Sequence, residues 1–135
     1  MSIFIDTSYL IGYYNKEDKH HQKAIGLSGI FSGKEFGTVY ISDYIFTEAM
    51  NYLITRIKSR GLAIELAGYI FNSEMEIIYM DKNIFQKSWE LFKQRKNLSF
   101  TDCTTIELMK AYGIKSIATF DSGFGQFGKE IKILR

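Results

Sequence analysis

Ser2-Ile3-Phe4-Ile5-Asp6-Thr7-Ser8-Tyr9-Leu10-Ile11-Gly12-Tyr13-Tyr14 opens with a short apolar run, ends that run on an acid, and passes at once into helix-like sequence. An unbroken apolar run of this length reads as a strand buried on both faces over residues 2–6. Thr7 to Tyr14 then reads as a short helix. A buried strand feeding a helix begins a layered α/β arrangement, and the rest of the chain repeats the alternation.

Working outward, the polar segment Asn15-Lys16-Glu17-Asp18-Lys19-His20-His21 leads into a second helix expected near residues 19–31. Gly33 and Gly37 flank a turn before the β-branched run Thr38-Val39-Tyr40-Ile41. Ser42 or Asp43 supplies an N-cap for a helix to about Ile57, and Gly61 breaks the pattern before a helix near 62–73. Glu76 to Met80 is the third strand; Asp81 caps a helix reaching Arg95, and Ser99 or Thr101 caps another that stops before Gly113. Ser116 to Phe120 and Glu130 to Leu134 are the fourth and fifth strands. Strands separated by helices of this length predict βαβ crossovers and a mostly parallel sheet of about five strands, covered on both faces. Residues 1–135 read as a single domain without linker, repeat or low-complexity stretch.

The bulk composition suits that reading. With 46% hydrophobic and 24% charged residues among 135, the chain is long enough to bury about two-thirds of its unfolded surface. No apolar run approaches the ~18 residues a membrane helix needs, and the first residues lack the basic region of a signal peptide. A lone cysteine, Cys103, excludes an internal disulfide and a multi-cysteine zinc site, and suits a reducing cytoplasm. The net charge of +2 argues against non-specific coating of nucleic acid, but not against a nuclease whose carboxylates would be locally neutralised by cations.

Four acids stand out: Asp6, Glu48, Asp102 and Asp121. Asp6 and Asp121 end predicted strands, and ligands of parallel sheets bind beyond the carboxyl ends of strands where strand order reverses. Read alone, each has an ordinary explanation. Asp6 would cap the helix that starts at Thr7, and Asp121 suits the turn Asp121-Ser122-Gly123. Asp102 completes a capping box with Ser99, yet shares a helical face with Ile106 and Met109 and so points toward core or cleft. Glu48 flanks the stripe of Ile45, Ala49, Met50, Leu53 and Ile57 and alone reads as solvated.

Taken jointly, the acids are a different matter. Two unit charges ~5 Å apart repel by roughly 3 kcal/mol at an effective dielectric of ~20, so a gathered set calls for a cation. Oxygen-only ligation suits Mg²⁺ or Mn²⁺ and not zinc. With no nucleophilic triad in sight, this points to metal-activated water attacking a phosphodiester.

Other signals carry less. Gly123-Phe124-Gly125-Gln126-Phe127-Gly128 fits a dinucleotide-binding pattern but lacks the following helix and distal acid, and reads as a flexible loop beside the site. His20 and His21 read as a solvated helix start, and Cys103 as a small buried residue. Arg56, Lys58 and Arg60, with Lys93, Arg95 and Lys96, complement helix ends more readily than they form an RNA groove. Tyr13 and Tyr14 are core-packing rings before they are base-stacking ones.

Ile5-Asp6-Thr7-Ser8-Tyr9-Leu10, Asp18-Lys19-His20-His21-Gln22-Lys23-Ala24, Thr47-Glu48-Ala49, Leu98-Ser99-Phe100-Thr101-Asp102-Cys103 and Ala118-Thr119-Phe120-Asp121-Ser122-Gly123-Phe124 together resemble, in order and spacing, the motifs of PIN domains. The resemblance implies a three-layer α/β/α sandwich and a Mg²⁺- or Mn²⁺-dependent endoribonuclease. Small members are most often VapC-like toxins, commonly homodimeric and silenced by a cognate antitoxin. It implies that Asp6 and Asp102 are the main metal ligands, with Glu48 and Asp121 completing the pocket and orienting the attacking water. Thr101 and Thr119 match polar positions beside those acids. Ser122 and Gly123 depart from members that carry a further acid after the fourth motif. A catalytically silent module that docks RNA or protein is the alternative; a haloacid-dehalogenase-type phosphatase would want an Asp where Ser8 stands.

Overall fold

Ile3, Phe4 and Ile5 are fully buried, as a strand covered on both faces requires. In the computed structural model, which describes residues 1–32 and 35–135, they belong to β1 (Ser2–Ile5), the middle strand of a five-stranded sheet. The others are β2 (Thr38–Ser42), β3 (Glu76–Ile78), β4 (Ser116–Ala118) and β5 (Lys132–Leu134). Their spatial order is β3-β2-β1-β4-β5, and all four pairings are parallel. Phe4 lies opposite Tyr40 on one side and Ile117 on the other.

Among the described residues six α-helices flank the sheet: α1 (Thr7–Tyr14), α2 (His21–Gly26), α3 (Asp43–Thr55), α4 (Arg60–Asn72), α5 (Lys82–Gln94) and α6 (Phe100–Tyr112). Their starts follow the expected chemistry. Ser42, Ser59, Asp81 and Ser99 each accept a hydrogen bond from the backbone N–H three residues on. The expected apolar stripes are buried at Ile45, Ala49 and Leu53 on α3 and at Ile106 and Met109 on α6. The expected α/β/α layering is therefore present.

Several local readings need correction: β3 and β4 stop two residues short of their expected ends, β5 starts two residues late, and Gly61 lies within α4 rather than before it. The helix expected over 19–31 is only α2 followed by a 3₁₀ turn at Ser28–Ser32, because residues before His21 form a turn held by Asp18 and Asn15. Ile57, placed on the stripe of α3, lies beyond that helix and is 37% exposed. The glycine-rich run is not a flexible loop but a 3₁₀ turn, Ser122–Phe127, anchored by buried Phe124 and Phe127. Gly33 lies outside the described residues; Gly37 takes a left-handed φ of 70° in the turn before β2.

Strand order reverses between β1 and β4, since the chain moves outward to β2 and β3 on one side and to β5 on the other. Asp6 follows β1 and Thr119 to Asp121 follow β4, so both acidic segments leave the sheet at the switch point. The backbone N–H of Asp6 donates to Ala118 O at 3.0 Å and locks the two exits together.

Candidate active site

Asp6 occupies the N-cap position of α1 but makes no capping hydrogen bond with its side chain. Its carboxylate turns instead toward the β4 exit. Oδ2 accepts from Thr119 Oγ1 at 2.7 Å and from Ser8 Oγ at 2.8 Å. Thr119 Oγ1 also accepts from the Asp121 N–H at 3.0 Å, and Ser8 Oγ from the Phe120 N–H at 2.9 Å. Two hydroxyls thus fasten the Asp6 carboxylate to the segment that carries Asp121. Asp6 is only 3% exposed. Thr119 was expected beside these acids on family resemblance; Ser8, two residues after Asp6 on the first turn of α1, was recognisable only through contacts across the sheet.

Asp102 fulfils both of its sequence readings at once. Ser99 Oγ accepts from the Asp102 N–H at 3.1 Å, and Asp102 Oδ2 accepts from the Ser99 N–H at 3.0 Å, a reciprocal capping box. Yet the side chain is 6% exposed and lines the same cleft as Asp6. For Asp6 and Asp102 alike, every side-chain hydrogen bond among the described residues falls on Oδ2. One oxygen orients each group; the other accepts no hydrogen bond among the described residues.

The cleft has a volume of about 420 Å³ and is lined by Asp6, Glu48, Asp102 and Asp121 together with Ser8, Ser99 and the segment Asp18-Lys19-His20. Glu48, half-buried on α3, faces it; the solvated reading does not hold. Asp121 combines cleft and turn, its Oδ1 accepting from the Gly123 N–H at 2.8 Å. Thr101 lies outside the cleft, in a neighbouring depression with Tyr44, Thr47 and Asn51 that shares Glu48 as a wall. A slightly larger cavity, about 460 Å³, sits at the amino ends of β2 and β3 beside Thr38 and Glu76. Its position at the wrong end of the strands leaves the chemistry with the smaller cleft.

Burial and the neighbouring acids act together on the two least exposed carboxylates. Burial pushes the Asp6 pKa up from 3.8 to about 6; the Thr119 and Ser8 hydrogen bonds oppose this, and the charges of Glu48 and Asp121 add to it. Burial likewise lifts Asp102 to about 7, opposed by the Ser99 backbone and raised further by Asp6 and Asp121. Among the described residues the ion pairs are Lys93–Glu90 and Lys110–Glu107, and neither reaches the cleft. The acids therefore concentrate negative charge without a basic partner in contact. Burial, with Asp102 and Glu107 nearby, pushes the Cys103 thiol up to about 11, so it is an inert core group.

The donor set is one for a hard, partly hydrated cation. Among the described residues no three His, Cys, Asp or Glu side chains converge closely enough to enclose an ion by themselves. Mg²⁺ commonly keeps several waters and takes only one or two carboxylates, which Asp6 and Asp102 on the cleft wall could supply.

Sequence reasoning missed His20. It is half-buried, lines the cleft, and stacks on Phe120 with ring centroids 4.5 Å apart and planes 11° from parallel. His21 does open α2, but it is part-buried rather than solvated, its Nδ1 lying 2.8 Å from Gly12 O. Of the basic clusters, Lys93 and Arg95 do stand at the end of α5, as expected; beyond that reading, Arg95 covers the Phe127 ring at 4.8 Å and Lys93 pairs with Glu90.

Gly123 sets the approach of the β4 exit to the loop before α6. A Cβ there would lie 2.7 Å from Asn97 O, with Asp121 Oδ1 and Leu98 Cδ2 both at 3.2 Å. Gly123→Ala is expected to cost about 1–3 kcal/mol, the usual penalty of overpacking. A shift of the urea midpoint measures it; an unshifted midpoint contradicts the close approach.

The sequence matches the PIN domain family over residues 3–130. The VapC ribonuclease of Archaeoglobus fulgidus is 27% identical over 129 residues, covering 92% of this chain and 80% of that protein. The 23S rRNA-specific endonuclease VapC20 of Mycobacterium tuberculosis is 24% identical, covering 93% of this chain and 94% of that one. The crystal structure of that VapC20, a Sarcin-Ricin loop cleaving toxin, superposes with a TM-score of 0.82 at 23% identity over 93% of this chain and 95% of its own. VapBC2 from Rickettsia felis, bound to a DNA fragment from its promoter, has a TM-score of 0.71 at 16% identity over 98% and 97%.

Proposed function

The chain belongs to the PIN domain family, and from that premise we propose that it is a metal-dependent endoribonuclease acting as the toxin of a toxin–antitoxin pair. The observation that carries this reading is the pairing of Asp6 and Asp102. These nearly buried carboxylates face one cleft with Glu48 and Asp121, at the point where strand order reverses. The names of the curated relatives support ribonuclease chemistry and a toxin role.

In this reading Asp6 and Asp102 would hold Mg²⁺ or Mn²⁺. When bound, the cation would supply a water of lowered pKa and neutralise charge on the phosphodiester. Thr119 and Ser8 keep the Asp6 carboxylate oriented, and the capping box does the same for Asp102. Asp121 and Glu48 flank the place of attack and orient the attacking water as proton acceptors. Lys19, on the rim of the cleft, offsets part of the repulsion between a polyanion and an acidic wall.

The proposed partners are RNA, a cognate antitoxin and a second copy of the chain. Apolar side chains exposed on and beside α3 and α4, among them Ile54, Ile57, Ile64 and Phe71, offer contact surface for a protein partner. No described helix is long and apolar enough to cross a membrane, and the proposed site of action is the cytoplasm.

Incubation of the purified chain with single-stranded RNA tests the reading. Cleavage is expected with Mg²⁺ or Mn²⁺, to stop on chelation and to return when metal is restored. Undiminished cleavage in chelator removes the metal from the proposal; RNA left intact under all conditions favours a silent binding module.

A further inference from the structure

Three rings rise from the core to the cleft. Tyr9 is fully buried, and its hydroxyl donates to Ala24 O at 2.8 Å. Phe120 stacks on Tyr9 at 5.6 Å with planes 22° apart, and His20 continues the pile on Phe120. The imidazole is the last ring of the stack and stands on the cleft wall. Among the described residues Phe120 is the sole ring packed against it, and neither of its nitrogens is hydrogen-bonded.

The position of His20 is determined several times over. Its backbone N–H donates to Asp18 Oδ1 at 2.9 Å, and the neighbouring His21 ring is bound to Gly12 O. Gly12 lets the segment approach α1: a Cβ there would lie 3.3 Å from Phe120 Cε2 and 3.4 Å from His20 Cβ. A histidine present for packing alone would bury its ring or find a protein partner for a ring nitrogen, as His21 does through Nδ1. His20 does neither. It presents a fixed, flat, half-buried ring beside the carboxylates, with Lys19 on the same wall.

We propose that His20 is a substrate-binding residue of this site, stacking the base of an RNA nucleotide next to the scissile phosphate as the fourth member of the pile. The inference rests on the ribonuclease reading above. Stacking suits the observed geometry because a pre-ordered ring loses little freedom on binding, and because every base offers a π face. It needs an unpaired nucleotide, so the substrate class is single-stranded or looped RNA.

Steady-state cleavage of a mixed-sequence single-stranded RNA by wild type, His20→Ala, His20→Gln and His20→Phe tests this, with thermal unfolding to verify each fold. His20→Ala and His20→Gln are expected to raise KM about tenfold, the order associated with losing one stacked base, with kcat within about twofold. His20→Phe keeps the flat ring and is expected to stay close to wild type. Normal binding by His20→Gln with weakened His20→Phe overturns stacking in favour of a phosphate donor. Unchanged KM in His20→Ala, or a fall in kcat alone, overturns it as well. Inert wild type overturns the ribonuclease reading and this inference together, whereas active wild type with an indifferent His20 overturns this inference alone.

Discussion

Asp6→Asn and Asp102→Asn, made separately, are each expected to lower RNA cleavage by about a thousandfold or more, the scale of losing a group that stabilises charge in the transition state. The substitution is nearly isosteric, and the supporting contacts survive it. An Asn oxygen at position 6 still accepts from Thr119 and Ser8, and at position 102 it still accepts from the Ser99 N–H. What disappears is the negative charge directed into the cleft. Folding should therefore hold, and stability at neutral pH should rise, because each wild-type carboxylate is buried without a basic partner in contact. Far-ultraviolet circular dichroism and a urea titration establish the fold, and gel-resolved cleavage reads the activity. Well-folded variants that cut RNA within about tenfold of wild type would remove both residues from the machinery. A loss of both fold and activity would instead make them structural.

What was legible in advance follows from which interactions are local. The β1 run, the caps at Ser42, Asp81 and Ser99, and the capping box around Asp102 are set by residues three or four apart, and each formed as read. The placement of Asp6 and Asp121 at strand ends needed only the alternation of strands and helices. Glu48 could not be placed this way. Its orientation depends on how α3 packs against α1 and α6, which the helical stripe leaves open at its flank. His20 was harder still, because the turn that exposes it and the Phe120 ring that holds it come from opposite ends of the chain. The charges around His20 point to a solvated helix start, and nothing within a few residues of it signals the stack. The glycine-rich run hides its structure for a related reason: Phe124 and Phe127, both buried, convert glycine freedom into a fixed turn.

The same two carboxylates predict how stability responds to pH and metal. The folded pKa of Asp6 is raised from 3.8 to about 6 and that of Asp102 to about 7. A folded state that holds protons more tightly than the unfolded chain is favoured at low pH and loses that advantage as pH rises. The metal-free protein should thus lose stability progressively from about pH 4 to about pH 7, and Asp6 alone accounts for roughly 3 kcal/mol of that loss. The two contributions do not add in full, since part of the rise at Asp102 is caused by the charge on Asp6. A cation bound only by the folded state works in the opposite direction, and at a hundred times its Kd it restores about 2.7 kcal/mol. Urea midpoints measured across this window in chelator, and again with Mg²⁺ or Mn²⁺, should diverge most at the neutral end. Subtracting the Asp6→Asn curve isolates the contribution of Asp6 from the surface carboxylates, whose pairing acts at lower pH. If metal-free stability instead climbs toward neutrality in that difference, Asp6 is not held as an uncompensated charge. If the divalent ion moves neither curve, the cleft does not bind it.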